Sequence, residues 1–133
     1  MQYAPTRILI VEDEDQARML LENVFVLAGF AVQTATNGAE ALRRLRDRDN
    51  VPDLLVLDLL LPWVNGFEVL ATIREDAALA TLPVLVITAT PANQADLQNY
   101  APLMVMRKPF DTDDLVVAAL QMLKRNPEIQ ARS

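Results

Sequence analysis

The sequence predicts a doubly wound α/β domain, a parallel sheet with helices on both faces. Short, nearly unbroken runs of Val, Ile and Leu recur at residues 8–11, 54–57 and 84–87, too short for helices and typical of parallel strands buried on both sides. Between them lie stretches with apolar residues at three-and-four spacing, so strand and helix alternate along the chain.

The elements follow in order. The run at 8–11 gives way to Glu12, Asp13, Glu14 and Asp15, and then to a helix with Ala17, Leu20, Leu21, Val24 and Ala28 inward, stopped by Gly29 at C′. Residues 31–35 are a weaker strand candidate. Asn37 followed by Glu40 reads as a capping box for a helix that buries Ala41, Leu42 and Leu45 and turns Arg43, Arg44, Arg46 and Arg48 to solvent.

After the strand at 54–57, a third helix from about Asn65 to Glu75 places Phe67, Leu70 and Ile73 inward. Residues 92–100, behind Pro91, offer only Ala95, Leu97 and Tyr100 as an apolar side and predict a short helix. The Met-rich run 103–106 becomes the fifth strand by its place in the alternation. Asp111 caps a last helix over 112–124 with Leu115, Val116, Ala119 and Leu123 inward.

A chain of 133 residues with 52% apolar and 23% charged residues suits one domain with a true core. That domain is expected over residues 7–125, with loose ends at 1–6 and 126–133. The absence of Cys and His excludes disulfides, thiol nucleophiles, Ser-His-Asp chemistry, His-ligated zinc or haem, and a phosphohistidine on this chain. A net charge of −6 repels nucleic-acid phosphates, so direct nucleic-acid binding is not expected. The N-terminus lacks an apolar leader and no run approaches the ~20 apolar residues of a membrane span, so a soluble, cytoplasmic protein is expected.

In doubly wound sheets ligands sit at the carboxyl ends of the strands. Here those ends carry Glu12 and Asp13, then Asp58, Thr88 and, just beyond the fifth run, Lys108 followed by Pro109. Each alone has an ordinary explanation as a helix-start acid, a turn residue or a solvated Lys. Together they point further, because Asp58 lies between residues 54–57 and 59–61, all apolar, where a carboxylate is costly to bury without a charged partner. Gathered carboxylates call for a hard divalent ion, and Mg²⁺ with a Lys is what phosphoryl transfer needs. Only Lys108 and Lys124 of the twelve basic residues are Lys, so the chain uses a compact point charge where Arg is otherwise its habit.

In the segments ILIVEDE, DLLVLDLLLPWVNGFEVL, LPVLVITA and RKPF the chain resembles the receiver domain of bacterial two-component response regulators, over roughly residues 7–124. The resemblance implies the flavodoxin-like fold, strand order 2-1-3-4-5 with five helices. It implies that Asp58 is the phosphoacceptor, taking a phosphoryl group from a sensor histidine kinase, a phosphotransfer protein or a small donor such as acetyl phosphate. Asp13, Asp58 and the backbone carbonyl of Leu60 would ligate Mg²⁺, with Glu12 acting through a water. Lys108 and Thr88 would bind phosphoryl oxygens, Ala89 would leave donors room, and Pro109 would follow a cis peptide.

The implied role is a switch read by a downstream protein, not turnover of a metabolite. Arg18, Met19 and Glu22 are candidate kinase contacts by the same resemblance, and the oligomer is expected to be a monomer or a weak homodimer. Val105 stands where the family has Tyr or Phe, removing the usual aromatic reporter. The segment between Thr88 and Lys108 is a little short, with Ala101 and Pro102 before the last strand. Leu60 and Thr90 hold the positions that influence self-dephosphorylation, and an apolar Leu60 predicts slow loss of the phosphoryl group. Trp63, the only Trp, is expected to pack on Pro62 or a neighbouring helix.

Two alternatives stand beside this reading. One is a haloacid-dehalogenase-like phosphatase with Asp13 as nucleophile and Asp15 as acid, which leaves Asp58, Pro62 and Gly66 unexplained. The other is a receiver-like interaction module held in one state.

Overall fold

A computed structural model describes residues 5–89 and 94–124. Five parallel strands, β1 (Arg7–Val11), β2 (Ala31–Ala35), β3 (Leu54–Asp58), β4 (Val84–Thr88) and β5 (Leu103–Arg107), form one sheet in the order β2-β1-β3-β4-β5. The helices are α1 (Asp15–Leu27), α2 (Gly38–Leu45), α3 (Gly66–Glu75), α4 (Gln94–Leu97) and α5 (Thr112–Lys124). Among the described residues, the expected fourth helix is one α-turn, α4, that tightens into a 3₁₀ turn over Gln98–Tyr100. Its start at residues 92–93, Pro91 and Thr90 lie outside the described residues, as do most of the ends expected to be loose.

Alternation along the strands divides the core. Leu9, Val11, Leu55, Leu57, Val84 and Val86 face α2 and α3, whereas Ile8, Ile10, Leu54, Val56, Leu85 and Ile87 face α1 and α5. The three runs read as strands buried on both faces are the three central strands; β2 and β5, the weaker candidates, are the half-exposed edges.

Local signals hold where backbone geometry decides them. Gly29 sits at φ +99°, and the amides of Gly29 and Phe30 donate to the carbonyls of Val26 and Phe25, closing α1 in a Schellman motif. Phe25 and Phe30 then meet edge to face with centroids 5.9 Å apart. Asn37 and Asn65 each accept from the amide three residues on, and the Glu40 carboxylate reaches back to Thr36, one residue before the cap. Asp111 accepts from the amide of Asp113 and caps α5 as expected.

Helix faces are where the expectations need correcting. In α1, Leu20 and Ala28 are exposed and Phe25 takes the core position beside Leu21. In α3, Phe67 is exposed and Val69 is buried; in α5, Val116 is half-buried while Ala118 and Met122 are buried. Each correction rotates the face by about one residue, because the apolar stripe is wider than the core it packs on. The arginine run is a mostly solvated face, but Arg44 is half-buried, beside Glu40, and Arg48 pairs with Asp76.

Two glycines fix the loop after Asp58. A Cβ on Gly38, the first residue of α2, would lie 2.3 Å from the Val64 carbonyl oxygen; one on Gly66, the first of α3, would lie 2.6 Å from Leu59 Cα and 2.8 Å from the Asp58 backbone carbonyl oxygen. The loop is therefore clamped between two helix starts. At the opposite end of the sheet, half-buried Arg74 donates to the carbonyls of Leu79, Ala80, Tyr100 and Pro102 at 2.7–3.3 Å. Burial pushes its pKa down to about 10, still far above neutrality. No described helix is long and apolar enough to cross a membrane.

Because the atom closest to a new Cβ at Gly38 is backbone, it cannot rotate away. Gly38→Ala is expected to lower the unfolding free energy by about 1–3 kcal/mol, the usual cost of overpacking, measured as a lower urea midpoint by circular dichroism. An unchanged midpoint would mean that α2 is free to move off the loop.

Candidate phosphoacceptor site

The site is assembled where β1, β3, β4 and β5 end. Glu12 continues β1 by donating its amide to the Ala35 carbonyl, so its side chain drops inward and is 1% exposed. Asp13, the next residue, is exposed. Asp58 is the last residue of β3 and is buried; its Oδ1 accepts from the Leu60 amide at 2.9 Å. Thr88 ends β4, fully buried, and its carbonyl accepts from the Lys108 amide at 2.8 Å. A cis peptide joins Lys108 to Pro109, as the resemblance implies, and a second joins Ala101 to Pro102.

Lys108 is the junction. Its Nζ donates to Glu12 Oε1 at 2.7 Å and to Asp58 Oδ2 at 3.0 Å, tying the ends of β1 and β3 to the chain leaving β5. Burial works against the ammonium charge, but the hydrogen bonds to Glu12 and Asp58 and their negative charges outweigh it and hold the Lys108 pKa above its ordinary value. Glu12 is pushed the other way: burial raises its pKa and the Asp58 charge adds to this, with Lys108 only partly compensating.

Carboxylate oxygens of Glu12, Asp13 and Asp58 come within 4.8 Å of one another. Formally, three carboxylates against one ammonium leave a charge of about −2, and every donor is a hard oxygen. The set therefore fits a hard divalent cation and not a soft one. An open groove of about 470 Å³ leads to it, bounded by Glu12, Ala89, Lys108, Pro109 and Phe110 on one side and by Glu14, Ala17, Leu20 and Leu21 on the other.

The residues singled out by sequence thus converge: Glu12, Asp13, Asp58 and Lys108 share one centre, with Thr88 ending the neighbouring strand and Ala89 following it. Leu60 contributes its amide to Asp58 and exposes 54% of its surface. Arg18 is occupied locally by the carbonyls of Glu12 and Asp13 and by the Asp15 carboxylate, while Met19 and Glu22 are exposed. Val105 packs, partly buried, against the core on the α2–α3 side, as does Tyr100. Trp63 does not pack: it is 88% exposed at φ +61°, a left-handed conformation that bulky residues rarely adopt. The direct Glu12–Lys108 pair and the two glycine contacts are not legible in the sequence, because each joins residues that only the fold brings together.

A buried strand-end carboxylate gripped by a Lys beside two more acids defines a class, the phosphoacceptor signalling domains. The family model described as "Response regulator receiver domain" matches residues 8–120. The phosphate regulon transcriptional regulatory protein PhoB of Rhizobium meliloti is 35% identical over 126 residues, which is 92% of this chain and 55% of that protein. The DNA-binding dual master transcriptional regulator RpaA of Synechocystis is 33% identical over 92% of this chain and 51% of its own length. A solved response regulator receiver protein from Sinorhizobium medicae superposes with a TM-score of 0.80 at 26% identity, over 91% of this chain and 96% of that one. This chain belongs to the response regulator receiver domain family. It spans about half the length of the curated relatives it matches, and the family match decides for the receiver reading over the phosphatase one.

The raised pKa of Glu12 has a stability consequence with a definite sign. An acid whose folded pKa lies above its unfolded value of 4.5 costs the fold stability at neutral pH, and the cost disappears as pH falls through the folded pKa. In chelator at pH 7, Glu12→Gln is expected to unfold at higher urea than the wild type, the gap closing by about pH 4.5. A variant less stable at pH 7, or a gap indifferent to pH, would contradict this account of the site.

Proposed function

We propose that Asp58 is the residue phosphorylated in this chain, as part of one receiver domain over residues 7–125 that works in the cytoplasm and turns over no metabolite. The observation that carries this is the Lys108 ammonium bridging Asp58 and Glu12 at the end of the sheet, with Asp13 alongside. A carboxylate oxygen of Asp58 attacks phosphorus; the bond from phosphorus to the donor breaks, and the donor leaves as imidazole, which takes up a proton, or as acetate. The donor is a sensor histidine kinase, a phosphotransfer protein or a small acyl phosphate, and a downstream protein reads the product.

Asp13, Asp58 and the Leu60 carbonyl would hold Mg²⁺, with Glu12 behind a water. When bound, the ion neutralises carboxylate and phosphoryl charge that would otherwise repel. The Lys108 ammonium, its charge secured by its two acidic partners, transfers its grip from the Asp58 oxygen to a phosphoryl oxygen. The Leu60 amide keeps Asp58 oriented, and the Thr88 hydroxyl binds a second phosphoryl oxygen. Leu60 offers no polar group to orient a hydrolytic water, which supports a long-lived phosphoaspartate.

Incubation with acetyl phosphate and Mg²⁺ is expected to add one phosphoryl group by intact mass, absent in Asp58→Asn and in chelator. Lys108→Met is expected to slow labelling by about 10²-fold or more, the scale of losing one preorganised charge contact. Labelling that survives Asp58→Asn would assign the acceptor elsewhere.

A further inference from the structure

The groove of about 470 Å³ that opens from the phosphoacceptor centre is within the ~300–1,000 Å³ of pockets that hold small ligands. Lys108 and Glu12 stand in its wall, and the same Lys108 Nζ lies 3.0 Å from Asp58 Oδ2, so a phosphoryl group held by that ammonium has the groove beside it. What the groove adds to them is mostly hydrocarbon. Ala17, Leu20 and Leu21 of α1 line it together with Ala89, Pro109 and Phe110. Leu20 leaves 52% of its surface in solvent, and Ala89 and Pro109 are also exposed. Among the described residues, the polar side chains that line the groove besides Lys108 are both acids, Glu12 and Glu14.

We propose that this groove selects among small phosphodonors, favouring acyl phosphates whose acyl group is apolar, uncharged and longer than acetyl, such as butyryl phosphate. The proposal rests on the reading of Asp58 as the acceptor. Each part of the groove matches one part of such a donor. The Lys108 ammonium takes the phosphoryl end, the apolar walls take the hydrocarbon, and Glu12 and Glu14 disfavour a donor that carries a second anionic group at its far end. Transfer forms the bond from an Asp58 oxygen to phosphorus and breaks the bond from phosphorus to the acyl oxygen, which leaves as a carboxylate with the bonding electron pair. The acyl group is therefore neutral while it binds and anionic once transfer is complete, and the two acids then favour its release. A methylene fully removed from water favours binding about fourfold; an open groove covers the chain in part, so the two extra methylenes of butyryl over acetyl phosphate are worth about fivefold. Such contact is made equally before and during transfer, so it raises the second-order rate of labelling.

Intact-mass time courses on the full chain with Mg²⁺ test this, with acetyl, butyryl and succinyl phosphate each at the same concentration, well below saturation. Butyryl phosphate is expected to label about fivefold faster than acetyl phosphate. Succinyl phosphate, which ends in a carboxylate where butyryl ends in a methyl, is expected to label at least about fivefold slower than butyryl phosphate. Leu20→Gln is expected to bring the butyryl-to-acetyl ratio below about twofold, and Glu14→Gln to narrow the butyryl-to-succinyl gap by at least about twofold. Ratios between donors on one protein do not depend on how much of it is folded, and Leu20→Gln controls for any difference in the donors' own reactivity. A wild-type butyryl-to-acetyl ratio near one, or a ratio untouched by Leu20→Gln, would overturn the proposal and leave Asp58 as the acceptor. Labelling by all three donors that survives Asp58→Asn would overturn the acceptor reading and the proposal with it.

Discussion

The arrangement of this molecule turns on one ammonium group. Lys108 is the cation within hydrogen-bond distance of both Glu12 and Asp58, two carboxylates that the sheet drives into its apolar upper edge. Without it, two buried like charges would face each other with little solvent, and one would have to be neutral. With it, the ends of β1 and β3 and the chain after β5 are tied at one point. The arrangement remains unbalanced, three carboxylates against one ammonium, and burial, with the Asp58 charge adding to it, keeps the Glu12 pKa raised. An incompletely neutralised site favours cations and, once a cation is present, anions such as phosphoryl groups; a fully satisfied one would bind neither strongly.

Rigidity around that point comes from backbone contact as well as charge. Gly38 and Gly66 let the first turns of α2 and α3 press against the loop that carries Leu60 and Trp63, so Asp58 has little freedom to reorient. That loop holds Trp63 in a left-handed conformation with almost its whole surface in solvent. Strain of this kind is compensated by the surroundings, here by two helix starts that leave the loop few other paths.

How far the fold could be read from the sequence follows from the kind of interaction that decides each feature. Central strands announce themselves because burial on both faces demands unbroken apolar runs, and caps announce themselves because Asn37, Asn65 and Gly29 answer local backbone needs. Helix faces were misjudged by about one residue, at Leu20, Phe25, Phe67 and Val116, because apolar residues outnumber the core positions and periodicity cannot say which surplus stays outside. The candidate site was legible as a set, since strand ends converge by topology. Its wiring was not: nothing local to Glu12 says that it, and not Asp13, is the acid buried against Lys108. Arg74 was missed for a similar reason, as its four carbonyl partners come from two loops that only the folded chain brings together.

The same surplus and scarcity of apolar contacts bear on how a change at Asp58 can travel. On the α2–α3 side, β5 presents Val105, and the described part of the element next to it is one α-turn and a 3₁₀ turn. Arg74 pins that stretch by donating to the carbonyls of Tyr100 and Pro102. On the other side, Lys108 leads through Pro109 and Phe110 directly into α5, whose cap at Asp111 lies three residues from the ammonium. The start of α5 is therefore the helix start joined to Lys108 by the shortest stretch of chain. Coupling needs an element whose alternatives differ in free energy and a ligand that distinguishes them. In this chain α5, which follows Lys108 after Pro109, Phe110 and the Asp111 cap, is the element most directly joined to the site's ammonium.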